Sequence, residues 1–148
     1  MIKVNVEIKN KSWHRKIKNK KDYFNKKLKK ISKIFKNRNI TFTILLTNSL
    51  QIKKLNKKFR KKNKPTDVLS FPTFEKKNIR FLKQKNYYIG DIAISFEIIN
   101  SRSLKNNFQS EFDKVWVHGL LHLLGFDHIK NKDYFKMQKI EKRILNLI

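Results

Sequence analysis

Apolar and polar residues alternate from Ile2 to Ile8, with Lys3, Asn5 and Glu7 between Ile2, Val4, Val6 and Ile8. That period of two predicts a strand with one buried face. Tyr23, Phe24, Leu28, Ile31, Ile34 and Phe35 recur at three- and four-residue steps, which predicts an amphipathic helix. Ile40, Phe42 and Ile44, separated by Thr41 and Thr43, predict a second strand. Ser49 is placed to cap a short helix that carries Leu50, Leu55 and Phe59. Lys61 to Lys64 form a basic loop that ends at Pro65. Asp67 to Phe71, between the two prolines, and Tyr87 to Ser95 read as strands. Lys76 to Lys85 read as a linker-like basic loop, and Glu97 to Lys105 as a brief helix. Ser110 with Asp113 resembles a capping box at the start of a helix that runs to Leu124. Asn131 or Asp133 starts a last helix carrying Phe135, Ile140, Ile144 and Leu147. The order β-α-β-α-β-β-α-α-α, without repeats or a domain boundary, predicts one α/β (α+β) domain over residues 1–148. It is expected to be a sandwich of a mixed sheet and helices around a buried central helix.

A chain of 148 residues is long enough to bury one core. Its 37 Lys+Arg against 11 Asp+Glu give a net charge of +26, so acidic partners, nucleic acid first, are expected. Lys, Asn, Ile and Phe are abundant along the whole chain, as in an AT-rich coding sequence, and a single lysine run reads as a solvated face. Charge therefore supports RNA affinity and says nothing about chemistry. Cys is absent, which excludes disulfides and thiolate ligands and leaves His and carboxylates for any metal. No secretory signal or membrane span is read from the sequence, and a cytoplasmic protein is expected.

Three of the four histidines fall in one stretch, His118, His122 and His128, spaced H-x-x-x-H-x-x-G-x-x-H. His118 and His122, at i and i+4, leave the same helix face one turn apart. Gly125 stands where a left-handed residue ends a helix, so the chain can turn back and bring His128 toward the other two. Three converging imidazoles match a catalytic zinc site, with three protein ligands and one open position, and one Zn2+ per chain is expected. The flanking Val115, Trp116, Val117, Leu120, Leu121, Leu123 and Leu124 make this helix apolar nearly all round, and buried imidazoles need partners that a shared cation supplies. Two of the three glycines, Gly119 and Gly125, lie in this stretch. The third, Gly90, precedes Asp91.

Leu55-Asn56-Lys57-Lys58-Phe59-Arg60, Pro65-Thr66-Asp67-Val68-Leu69-Ser70-Phe71-Pro72, Gly90-Asp91-Ile92 and His118 to His128 together resemble the YbeY family of metal-dependent rRNA-maturation endoribonucleases. Met137 and Glu141 look like the family's tail. The resemblance implies an α/β fold, a three-His zinc site and cleavage of single-stranded RNA. It also implies roles in trimming small-subunit rRNA ends and in ribosome quality control. By the same match Arg60 corresponds to the family's functionally important arginine, and His118 to its first metal-binding histidine.

The histidine spacing is also that of metzincin proteases, whose glutamate after the first His is the general base. Gly119 occupies that position here. A phosphodiester suits a zinc site without such a base, because the ion supplies both a nucleophile and Lewis acidity. Arg60 would hold a phosphate oxygen and offset transition-state charge. Asp67, Asp91 and Asp127 are candidates to orient a ligand imidazole or to stabilise a turn. Thr66 and Ser70 could donate to RNA phosphates or to their own backbone. The lysines of Lys57 to Lys64 and of Lys76 to Lys85 are candidates for tracking the strand. The expected activity is zinc-dependent endoribonuclease cleavage of single-stranded rRNA precursors, with the ribosomal small subunit or its factors as partners. The rivals are a ribosome-associated RNA-binding protein with a structural zinc, its fourth ligand His14 or a carboxylate, and a metallopeptidase.

Overall fold

The computed structural model describes residues 1–35, 39–74, 86–127 and 131–148. The alternating segment forms β1 (Ile2–Ile8), with Lys3, Asn5 and Glu7 exposed. A one-turn helix, α1 (Trp13–Lys16), follows. Four residues are too few to display a helical period, so periodicity does not reveal it. Burial holds it in place: Trp13 Nε1 donates to Thr47 O at 2.9 Å, and its ring packs against Phe96, Phe108 and Phe112. α2 (Lys20–Ile31) is capped by the Asn19 side chain. It ends before Ile34 and Phe35, which still pack against the core.

β2 (Ile40–Thr47), α3 (Ser49–Arg60), β3 (Val68–Pro72) and β4 (Tyr87–Ser95) follow. Then come α4 (Phe96–Arg102), α5 (Phe108–Leu123) and α6 (Asn131–Leu145). The strands form one four-stranded sheet in the order β1-β2-β4-β3. β1 and β4 run parallel to β2, and β3 runs antiparallel to β4. This is the mixed α/β architecture expected. One sheet face, through Phe42, Ile44, Leu46, Ile92 and Ile94, joins the main core with α2, α5 and α6. The opposite face carries a smaller cluster of Ile52, Leu69 and Ala93 under α3. No helix among the described residues is long and apolar enough to cross a membrane.

Two helix starts differ from expectation. Asn48, not Ser49, caps α3, its side chain accepting from Gln51 N at 2.8 Å. α5 begins earlier than the Ser110 box, capped by Asn107, whose side chain accepts from Gln109 N and Ser110 N. Asn competes equally with Ser at this position, and each Asn stands one residue or more upstream of the serine. Asp113 serves packing instead. Nearly buried, it accepts from Tyr23 Oη and Trp116 Nε1, both at 2.7 Å, and pairs with Lys27. It thereby ties α2 to α5. Burial, then the neighbouring Asp113 charge and hydrogen bond, push the Tyr23 hydroxyl far above its ordinary pKa, so Tyr23 stays a donor.

Gly90 marks a bulge in β4. The β2–β4 register steps from Thr41↔Tyr88 to Thr43↔Asp91, so β4 carries one extra residue there. Gly90 has φ +130°, and a Cβ on it would stand 2.2 Å from Phe71 O. The extra residue brings Tyr88 and Asp91 to the same exposed face, where the Tyr88 hydroxyl donates to Asp91.

Candidate metal centre

His118 and His122 project from one face of α5, and their Nε2 atoms approach to 3.1 Å with the ring planes 79° apart. Both residues are half-buried. Each ring is held from behind. His118 Nδ1 lies 3.2 Å from Glu141 Oε1 on α6, and His122 Nδ1 lies 3.1 Å from Phe126 O. A carbonyl and a carboxylate only accept, so these contacts favour a hydrogen on each Nδ1, an arrangement that would turn both Nε2 lone pairs toward each other. Lone pairs placed this way are aimed at a shared cation, a proton or a metal ion, between the two nitrogens. Zinc bonds of about 2.0–2.1 Å in a tetrahedral shell set neighbouring ligand nitrogens about 3.3–3.4 Å apart, close to the spacing this pair already has. The donor pair therefore fits the ion. His128 lies outside the described residues, as do Lys76 to Lys85. Among the described residues no group of three His, Cys, Asp or Glu side chains is assembled for a metal.

Two glycines build this face. Gly125, at φ 81°, ends the helix as expected: its N–H donates to His122 O and the Phe126 N–H donates to Leu121 O, both at 3.0 Å. That pair of bonds is a Schellman turn, and it delivers the Phe126 carbonyl to His122. Gly119 meets a different demand. A Cβ there would stand 2.8 Å from Ile92 Cγ2 and 3.2 Å from Ser70 Oγ, so α5 lies against β3 and β4 at this residue. A side chain at 119 would run into the sheet, and no general base fits at the position where metzincins carry one.

Ser70 joins Arg60 to the histidine helix. Its hydroxyl donates to Gly119 O at 3.3 Å, and its own carbonyl accepts from Arg60 Nη2 at 3.3 Å. Asp67 O and Thr73 N bond to β4, so by the period of two the Ser70 carbonyl faces the free edge of the sheet. Arg60 is exposed at the end of α3, beside Lys57, Lys58, Lys61, Lys62 and Lys64, all exposed. Phe59, expected among the apolar positions of α3, is instead 56% exposed. Its ring meets Phe71 edge-on at 5.2 Å, with Lys58 Nζ 5.2 Å from its centroid. Leu50 is likewise exposed, and the helix is anchored by Ile52 and Asn56.

The other anticipated residues do different work. Ser70 is only 8% exposed and its hydroxyl is engaged with α5, so it does not present a donor to a phosphate. Thr66 donates to Asp67 Oδ1 at 3.1 Å. Asp67 also accepts from Val68 N and pairs with Arg102 of α4. Burial raises the Asp67 pKa, but the Arg102 hydrogen bond and charge, with Thr66 and Val68, outweigh it and hold the carboxyl below its ordinary value. Asp91 lies on the exposed sheet face opposite Ile92, away from α5. Neither aspartate meets a described imidazole, because each answers a local demand, a loop for Asp67 and a bulge for Asp91. Asp127 is half-buried two residues beyond Gly125. His14 is exposed, with Nδ1 3.0 Å from Lys20 Nζ. It follows Trp13, which packs at Phe108 and Phe112, and His118 is six residues further along α5, about 9 Å at 1.5 Å per residue. Among the described residues His14 is not grouped with His118 and His122 as a third metal-ligating side chain.

A profile of the family described as endoribonuclease YbeY matches residues 7–148. The chain belongs to the YbeY family. It is similar to a Pelagibacter ubique protein named endoribonuclease YbeY, 50% identical over 154 residues, with 100% of this chain and 97% of the relative covered. A Buchnera aphidicola (subsp. Acyrthosiphon pisum) protein of the same name is 44% identical over 128 residues, covering 85% of this chain and 79% of the relative. Among solved structures, the solution structure of TM1509 from Thermotoga maritima superposes with a TM-score of 0.58 at 28% identity, covering 99% of this chain and 87% of that one. In this YbeY chain, spacing alone located the histidine pair. It did not locate the groups behind the rings. The Phe126 carbonyl is implicit in the Gly125 turn, whereas Glu141 is 23 residues from His118, and only its place in the family tail singled it out.

Proposed function

We propose that this chain is a zinc-dependent endoribonuclease that hydrolyses phosphodiester bonds in single-stranded rRNA precursors. It would act in the cytoplasm on small-subunit rRNA ends and in ribosome quality control, in contact with the small subunit or its factors. The observation that carries the reading is the facing Nε2 pair of His118 and His122 at 3.1 Å, one residue from the Ser70 bridge to Arg60. His118 and His122, with His128 as the third donor, would hold the ion. A bound zinc ion polarises a phosphoryl oxygen and lowers the pKa of water to about 7. Arg60 keeps one nitrogen on the sheet edge and offers the rest of its fork to a phosphate, neutralising the charge that grows in the transition state. The exposed lysines around Arg60 attract the backbone of the strand, and the Phe59 ring offers an unpaired base a stacking face, which favours single-stranded over duplex substrate. A peptidase is disfavoured by the packing of Gly119 against Ile92.

The test incubates zinc-loaded protein with a labelled single-stranded RNA and, separately, a labelled peptide. Wild type is expected to cut the RNA and leave the peptide intact, while His118→Ala and a chelator-treated sample lose cutting. Equal RNA cutting in all three overturns the proposal. A zinc-loaded wild type that binds RNA without cutting it assigns the metal a structural role instead.

A further inference from the structure

We propose that Glu141 is a positioning residue for the metal centre: its carboxylate fixes His118 as the Nδ1–H tautomer and so aims the Nε2 lone pair at the ion. The inference rests on the reading of the histidine pair as a metal site. A neutral imidazole left to itself favours the hydrogen on Nε2, which would turn a donor rather than a lone pair toward His122. His122 avoids this through the Phe126 carbonyl, 3.1 Å from Nδ1, which its own helix end supplies. His118 lies one turn back, inside the helix, where carbonyls are engaged in the backbone ladder. Its acceptor has to come from another element.

That element is α6. Met137 and Ile144 are buried, and Glu141, four residues after one and three before the other, shares their face. Docking these two residues against the core carries Oε1 to 3.2 Å from His118 Nδ1. The Glu141 side chain is only 24% exposed, in a chain where 37 Lys+Arg outnumber 11 Asp+Glu. A half-buried carboxylate directed at an imidazole there is a placed group.

The first readout needs no metal. Nitrogen-15 NMR of the metal-free protein at about pH 8.5, above the ordinary histidine range, reports which nitrogen of His118 carries the hydrogen. Wild type is expected to show Nδ1–H. Glu141→Met, which keeps the length of the side chain but removes the acceptor, is expected to shift His118 toward Nε2–H. The second readout is zinc affinity, by competition with a chromophoric chelator. Glu141→Met is expected to bind about 10–100-fold more weakly, and Glu141→Gln, whose amide oxygen can still accept, to recover the tautomer and most of the affinity. Nε2–H in wild-type His118 overturns the inference without any variant. Unchanged zinc affinity in Glu141→Met also overturns it and leaves the metal site standing, whereas a wild type that takes up no zinc sinks the metal site itself.

Discussion

At the scale of single residues, two demands can be tested separately. Gly125 sits at φ 81°, where an alanine is strained by about 1–2 kcal/mol. Gly125→Ala is therefore expected to lower the melting temperature by about 2–8 °C in a domain of this size. Because the same turn delivers the Phe126 carbonyl to His122, the variant should also bind zinc more weakly. Calorimetry and a zinc titration check the two effects, and a full-strength zinc site in a destabilised protein would separate the turn from the site. Phe59 is the opposite case, an apolar ring that folding leaves outside. Phe59→Ala is expected to cost about 1–3 kcal/mol in affinity for single-stranded RNA with little change in melting temperature, read by fluorescence anisotropy with a non-cutting His118→Ala background. The histidine spacing and Gly125 were legible in the sequence because each needs only local geometry, and Arg60 was singled out by its place in the motif match. The exposure of Phe59, the engagement of Ser70 and the placement of Glu141 were not, because each is decided by a partner on another element.

At the scale of elements, strands were easier to read than helix ends. β1 and β4 keep the predicted bounds because alternation and β-branched runs express the sheet directly. Helix starts are set by which polar side chain reaches the first free N–H groups, and Asn48 and Asn107 do so before the neighbouring serines. The loop before β3 shows the same local logic with charge. Asp67 joins it to α4 through Arg102, and its carboxyl is held below the ordinary value by that partner against the effect of burial. A depressed carboxyl pKa adds stability above the unfolded value of about 3.9 and loses it as pH falls through the folded value. Asp67→Asn is thus expected to lower stability at pH 7 by a few tenths to about 1 kcal/mol, since Arg102 is half exposed and screened. Urea unfolding from neutral pH downward should show the gap between variant and wild type closing below about pH 4. A gap that is constant with pH would mean the carboxylate charge plays no part.

At the scale of the whole molecule, the question is whether a net charge of +26 acts as a uniform field or as a directed track. Composition cannot decide this, because lysines cover α2 and α3 alike. The fold separates them: Lys57, Lys58, Lys61 and Lys62 are exposed beside Arg60, whereas Lys21, Lys26, Lys29 and Lys30 are exposed on α2, which packs on β1 at the far edge of the sheet from β3. Each cation that neutralises a phosphate of a single strand contributes about −0.7 to the slope of log affinity against log salt. Replacing Lys57, Lys58, Lys61 and Lys62 by alanine is expected to make that slope shallower by about 2–3, while replacing the four on α2 should leave it nearly unchanged. Both variants lose the same formal charge, so a long-range field predicts equal losses of affinity at low salt, and a bound track predicts that only the first changes the slope. Anisotropy titrations of one short RNA across a salt series, in the non-cutting background, distinguish the two. Equal slopes in both variants would remove the lip around Arg60 as the path of the strand, leaving the histidine pair and its metal to be tested on their own.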